Sequence, residues 1–198
     1  MNEILIPSVI ETFNGTEQAI NIINYNFLKK RTVYIGEVND LSALSTVLQI
    51  NYLAAKSSEP IKIIINSPGG SVTAGLAIYD AMKAAQCEII TVATGVAASM
   101  GAFLLSAGTK GKRYVTPSAK VMIHQPSAGT QGRVSDMEIN VEHFIRVKQQ
   151  LNSILAENTG KSEKQIKRDS ERDFWLDANA AVEYGIADRI GQGDENDE

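Results

Sequence analysis

The amino-acid sequence predicts an α/β protein built as one domain. Short β-branched runs such as residues 61–66 (IKIIIN) and 89–95 (IITVATG) alternate with stretches of helical periodicity. A chain of 198 residues, 43% of them hydrophobic, suffices for one core, and no linker divides it. Paired short strands ahead of a long helix indicate that the alternation is not strictly doubly wound.

Residues 1–18 have little periodicity and are interrupted by Pro7, Asn14 and Gly15, so they read as a flexible arm or loop. Residues 19–30 are helix-like, with Ile20, Ile23, Phe27 and Leu28 roughly on one face. Residues 31–38 (RTVYIGEV) form a short strand. Residues 41–56 form a helix capped by Asp40 or Ser42, with a stripe of Leu44, Val47, Leu48 and Leu53. The strand at 61–66 is bounded by Pro60 and by Ser67-Pro68-Gly69-Gly70. A helix over 71–85 turns Val72, Leu76, Tyr79 and Met82 inward.

A strand at 88–94 and a helix at 99–107 follow. Two short strands, 112–116 and 120–124, are divided by Pro117-Ser118. Residues 125–132 (QPSAGTQG) are open. A long helix over 135–158 carries Met137, Val141, Phe144, Leu151 and Leu155 at helical spacing and ends at Gly160. Ser162 and Gln165 resemble a capping box for a short helix. Asp177 caps a last helix, ANAAVEYG, closed by Gly185. The acidic tail GQGDENDE is expected to be disordered.

Composition excludes several classes of function. A net charge of -4 argues against a nucleic-acid partner, which needs a basic surface. Cys87 is the single cysteine, so no intramolecular disulfide is possible and nothing points to an oxidising compartment. The N-terminus lacks the basic and apolar regions of a secretory signal. Residues 89–109 hold no charge, a length that could span a membrane, but they divide into a strand-like and a helix-like half. The expectation is a soluble cytoplasmic protein with no membrane partner.

Serine is a weak nucleophile without a neighbouring base. There are two histidines. His143, in NVEHFIRVK, reads as a surface residue of the long helix. His124 ends a strand-like run, where catalytic side chains of α/β folds tend to stand; a core-edge histidine satisfied by a hydrogen bond is an equal reading. Ser99 lies between Ala97-Ala98 and Met100-Gly101. Small neighbours permit a tight strand-to-helix turn, and a helix start offers free N–H groups to an oxyanion. The pattern approximates the G-x-S-x-G elbow with its first glycine replaced, and a plain N-cap serine is the alternative. Pro68-Gly69-Gly70 leaves N–H groups unobstructed for an oxyanion or a peptide edge. It lacks the lysine of a phosphate-binding loop.

Taken in order, INSPGGSVTAGLAIYD, GVAASMGAFLLSAGTKGKRY, VMIHQPSAGTQG and ERDFWLDANAAVEYGIAD resemble the proteolytic subunit of the Clp protease, over roughly residues 7–190. The resemblance implies a Ser-His-Asp peptidase with Ser99 as nucleophile, His124 as base and Asp173 as acid. The residues alone do not choose Asp173 over Asp169 or Asp177. It further implies oxyanion donors at Gly70 and Met100, and substrate contacts at Gly69, Ser71, Val72, Gln125 and Pro126. Gln131 and Arg172 are implied to be linked to oligomerisation. No metal or organic cofactor is implied for this chain; ATP belongs to a partner AAA+ unfoldase that feeds in unfolded protein substrates.

The same resemblance implies a crotonase-like core over 19–190 with a handle region at about 125–158. An arm at 1–18 lines an axial pore, and a tail occupies 191–198. Heptameric rings stack as a tetradecamer. Two positions depart from the family pattern. Lys62 replaces an aromatic of the strand before the glycine turn, and Ala84 replaces one in the next helix; both belong to the expected unfoldase-docking surface. That leaves an alternative, a structural or regulatory subunit of a ring mixed with a second subunit type. A crotonase-type acyl-CoA enzyme is a third reading, opposed by the ordered triad motifs.

Overall fold

In the computed structural model, which describes residues 6–13 and 15–193, the chain opens with an antiparallel hairpin. Strand β1 (Ser8–Phe13) pairs with β2 (Thr16–Asn21) across a turn where Gly15 takes a positive φ of 81°. This corrects the expectation of an unstructured arm. Most of β2 is exposed, so ladder hydrogen bonds rather than an apolar face hold the pair, and no alternation marks it in the sequence. The remainder of the arm, residues 1–5, lies outside the described residues.

Helix α1 (Ile22–Lys30) starts three residues later than expected, capped by Asn21, because residues 19–21 belong to β2. After β3 (Thr32–Ile35), α2 (Asp40–Lys56) is capped by Asn39, whose side chain and that of Ser42 form a reciprocal box. Neither Asp40 nor Ser42 is the cap residue. The face that α2 buries is Ala43, Thr46, Ile50 and Leu53. Of the expected apolar stripe, Leu53 is buried and Val47 packs against the core, while Leu44 and Leu48 are exposed. The helix has apolar residues on two faces, and periodicity does not say which one meets this chain's own core.

The core is organised on β4 (Ile61–Ser67), whose Ile61, Ile63 and Ile65 are wholly buried. Each such side chain stabilises the fold by about 1.5–3 kcal/mol. Helix α3 (Val72–Ala84), capped by Ser71, buries Ala74, Gly75, Ile78, Ala81 and Met82, while Val72, Leu76 and Tyr79 are half-buried. Next come β5 (Ile89–Ala98) and α4 (Met100–Ser106), every residue of which is buried. That burial explains the uncharged run; no helix among the described residues is long and apolar enough to cross a membrane.

The remaining elements are β6 (Arg113–Val115), β7 (Lys120–Ile123), α5 (Val134–Thr159), α6 (Glu163–Asp169), β8 (Phe174–Leu176), α7 (Ala178–Tyr184) and β9 (Arg189–Ile190). The sheet runs β3-β4-β5-β6-β9, all parallel, and branches at β5. The first half of β5, at Thr91–Ala93, pairs with β6, and its end, at Val96–Ala98, pairs with β7. Gly95 sits between the two with a φ of 62°, and the Asn66 side chain accepts from the Val96 N–H at 3.2 Å where the β4 register shifts. The result is a mixed α/β single domain with a mostly parallel sheet.

Two outer features complete it. The C-terminal half of α5 packs on the domain through Leu151, Asn152, Leu155 and Ala156, while its N-terminal half projects with Val134, Ile139, Val141 and Ile145 exposed. Of the stripe expected along α5, only Leu151 and Leu155 reach the core. At the C-terminus, Gly191 donates to Val115 at 3.0 Å and Gly193 packs against Ile90 and Tyr114. Residues 191–193 thus pack on the domain rather than belonging to a disordered tail; the rest of the tail, 194–198, lies outside the described residues.

Candidate active site

The branch at β5 delivers two of the candidate side chains. Ser99 stands between the end of β5 and the first turn of α4, with φ 54° and ψ −121°. A non-glycine residue there stores roughly 1–3 kcal/mol of strain. Its N–H donates to Met122 at 2.8 Å and its carbonyl accepts from Phe103 at 3.0 Å, so β7 and α4 together hold the strained turn. The serine is thus more than a plain cap: its side chain makes no capping hydrogen bond.

Antiparallel pairing of β7 with β8 delivers the other two. Ile123 lies opposite Phe174, so the next residue of one strand, His124, falls beside the preceding residue of the other, Asp173. His124 Nδ1 and Asp173 Oδ1 are 3.1 Å apart. The His124 side chain is 30% exposed and that of Asp173 61%. Ser99 and His124 line one small cleft with Val72, Met100, Pro126 and Asn152. The Ser99 hydroxyl forms no hydrogen bond among the described residues, so the serine–histidine contact is open in this chain alone.

The neighbouring aspartates are committed elsewhere. Asp169 accepts from the Tyr184 hydroxyl at 3.0 Å and pairs with Arg168. Burial, together with that hydrogen bond and the Asp169 charge, pushes the Tyr184 phenol well above its usual range. Asp177 caps α7, accepting from Ala180 N at 2.9 Å. Geometry therefore separates three carboxylates that the sequence left equivalent.

The glycine turn packs directly on the serine elbow. A Cβ on Gly69 would lie 2.6 Å from Ser99 Cβ and 3.0 Å from Met100 N, and one on Gly70 would strike the Val38 carbonyl. Both glycines have positive φ, at 98° and 141°, so a side chain there meets both steric and backbone cost. Val38 N donates to Gly69 O at 2.8 Å, and Ser71 N donates to Val38 O at 2.7 Å, pinning the turn to the loop after β3. The N–H groups of Gly70 and Met100 donate to no acceptor among the described residues.

The other expected contacts divide. Val72 and Pro126 line both the small cleft and an adjoining one of about 510 Å³ beside α5. Ser71 is spent as the α3 cap, at 3.3 Å to Ala74 N. Gln125 lines the larger cleft, but its side-chain amide is held by Lys148 and by the Glu171 carbonyl, at 2.6 and 3.0 Å. Gln131 and Arg172 are exposed. Asn152 and Lys148 were missed in the sequence; both come from α5, whose packing onto the site has no local signal. His143 is exposed on α5, as expected. Among the described residues no group of three or more His, Cys, Asp or Glu is disposed to hold a metal ion.

This arrangement can in principle transfer an acyl group: a hydroxyl on a rigid elbow, an imidazole oriented by a carboxylate, and unpaired N–H groups beside them. Comparison with known proteins agrees with the motifs. A family model described as Clp protease matches residues 14–194. With 198 residues in the chain, that match leaves out only its ends, and the chain belongs to the Clp protease family.

Proposed function

We propose that this chain is a serine endopeptidase subunit of a compartmental protease, acting on unfolded polypeptides and short peptides. The observation that carries the reading is a strained serine elbow, packed on the Gly69-Gly70 turn, that shares one cleft with a His124 hydrogen-bonded to Asp173. In the reaction, Ser99 Oγ attacks the peptide carbonyl carbon while His124 Nε2 takes the hydroxyl proton. Asp173 accepts from Nδ1–H, fixes that tautomer and stabilises the imidazolium. The carbonyl oxygen becomes an oxyanion that accepts from Gly70 and Met100 N–H. Collapse breaks the C–N bond, and the imidazolium gives its proton to the leaving amine. Water then attacks the acyl-enzyme, its proton passing through His124 back to Ser99. No step calls for a metal or organic cofactor.

Self-assembly into stacked heptameric rings in the cytoplasm, fed by an ATP-using AAA+ unfoldase, is part of the proposal. Membership of the family supports it, as do the exposed apolar residues on α2 and on the projecting half of α5. A second reading, a ring subunit of low activity without a second subunit type, draws on the open Ser99–His124 contact. Hydrolysis of a fluorogenic peptide tests both. The purified chain is expected to turn over peptide, and Ser99→Ala to lose on the order of 10⁶-fold, as other triads do. Undiminished turnover by Ser99→Ala contradicts the serine reading. Turnover that arises only on adding a second subunit supports the mixed ring.

A further inference from the structure

Asp173 is more than half exposed and meets His124 through one contact at 3.1 Å. A single contact so open to water does little to align the two groups. Its geometry has to come from whatever fixes the two backbones. Residues 170–173 join α6 to β8, and beyond the β7–β8 pairing at Ile123 and Phe174 they are attached to the His124 strand through the next residue, Gln125. Its N–H donates to Ser170 O at 2.6 Å, and its amide nitrogen donates to Glu171 O at 3.0 Å.

A third element closes this junction. Lys148, on α5, donates to Gln125 Oε1 at 2.6 Å and to Glu171 Oε2 at 3.3 Å. An ammonium has donors only, so it requires the oxygen of the Gln125 amide and turns the amide nitrogen toward the Glu171 carbonyl. One cation thereby selects the amide orientation that joins the residue after His124 to the residue two before Asp173. The Lys148–Gln125 bond is partly buried, with Lys148 24% exposed, whereas Glu171, at 57%, is about as open as Asp173.

We propose that Lys148 is a positioning residue of the hydrolytic site: through Gln125 and Glu171 it holds the 170–173 loop so that Asp173 stays on the His124 imidazole. This rests on the serine-peptidase reading above. Lys148 also lines the larger cleft, so a direct contact with substrate is the competing role, and it moves KM rather than kcat.

The test is steady-state peptide hydrolysis by the assembled full-length protein, with particle mass measured alongside. Lys148→Met is expected to lower kcat by about 10- to 100-fold, the scale of a misaligned catalytic group, with KM within about twofold of wild type and unchanged particle mass. Lys148→Arg, which keeps the cation, is expected to recover most of the loss. Unchanged kcat in Lys148→Met, a change confined to KM, or an arginine variant as impaired as the methionine one overturns the proposal. If Lys148→Met does not assemble, Glu171→Met, which removes the acceptor on the loop, decides: a loss of about tenfold in kcat is expected, and wild-type kcat overturns it. Ser99→Ala run in parallel separates the two claims. Retained hydrolysis there defeats the peptidase reading, whereas a dead Ser99→Ala beside a fully active Lys148→Met defeats this inference alone.

Discussion

Ser99 occupies a backbone conformation that suits glycine, and the fold holds it there through Met122 and Phe103. Such strain is expected to be relieved when glycine replaces it. Ser99→Gly is therefore predicted to be more stable than Ser99→Ala by about 1 kcal/mol, read from denaturant midpoints, although both lack the hydroxyl. Equal stabilities would show that the elbow is not strained. The small neighbours of Ser99 mark it as a candidate, but not its strain, which depends on the branch between β6 and β7. Only the family resemblance singles out Asp173 among the nearby aspartates. Asp169, Asp173 and Asp177 are alike in local sequence; they differ in that Tyr184, His124 and Ala180 respectively claim them, and those partners come from pairing and helix entry.

Elements divide by what they bury. The β-branched runs and the capped helices were readable because each buries one face in this chain, with Ile61, Ile63 and Ile65 on β4 the plainest case. The N-terminal hairpin was not readable, since its stability is in its ladder and its glycine turn rather than in apolar alternation. Helix α2 splits its expected stripe between the core, which takes Val47 and Leu53, and the surface. Its Leu41, Leu44 and Leu48 are exposed, spaced three and four apart, as an apolar face toward another copy would be. Leu44→Glu with Leu48→Glu is predicted to change the folding stability of the subunit by only about 0.5 kcal/mol while reducing particle mass in sedimentation to that of smaller assemblies. A wild-type particle mass would remove α2 from the assembly surface.

At the scale of the whole molecule, one buried pair ties the outer pieces together. Arg113 is almost wholly buried and donates to Asp188 at 2.8 Å and to the Asn158 carbonyl at 2.8 Å, joining β6, the end of α5 and the turn before β9. Burial pushes the Asp188 carboxyl up, but hydrogen bonds and charge from Arg113, with N–H groups of Arg113 and Gly111, outweigh it and hold it below the usual carboxylate range. A depressed carboxylate contributes stability above its unfolded value, roughly 3.9, and that stability is lost as pH falls through the lower folded value. Asp188→Asn is predicted to cost about 3–5 kcal/mol at pH 7, with the gap to wild type narrowing below about pH 4. A gap that is constant from neutral to acid pH would contradict that account. The proposed chemistry draws on the same architecture, since the branched sheet brings Ser99 and the His124–Asp173 pair to one end of β5. Fluorophosphonate labelling followed by peptide mapping tests this most directly. One adduct is expected, on Ser99, that disappears in Ser99→Ala and weakens in Asp173→Asn. An adduct on any other residue, or none on protein that is hydrolysing peptide, would contradict it.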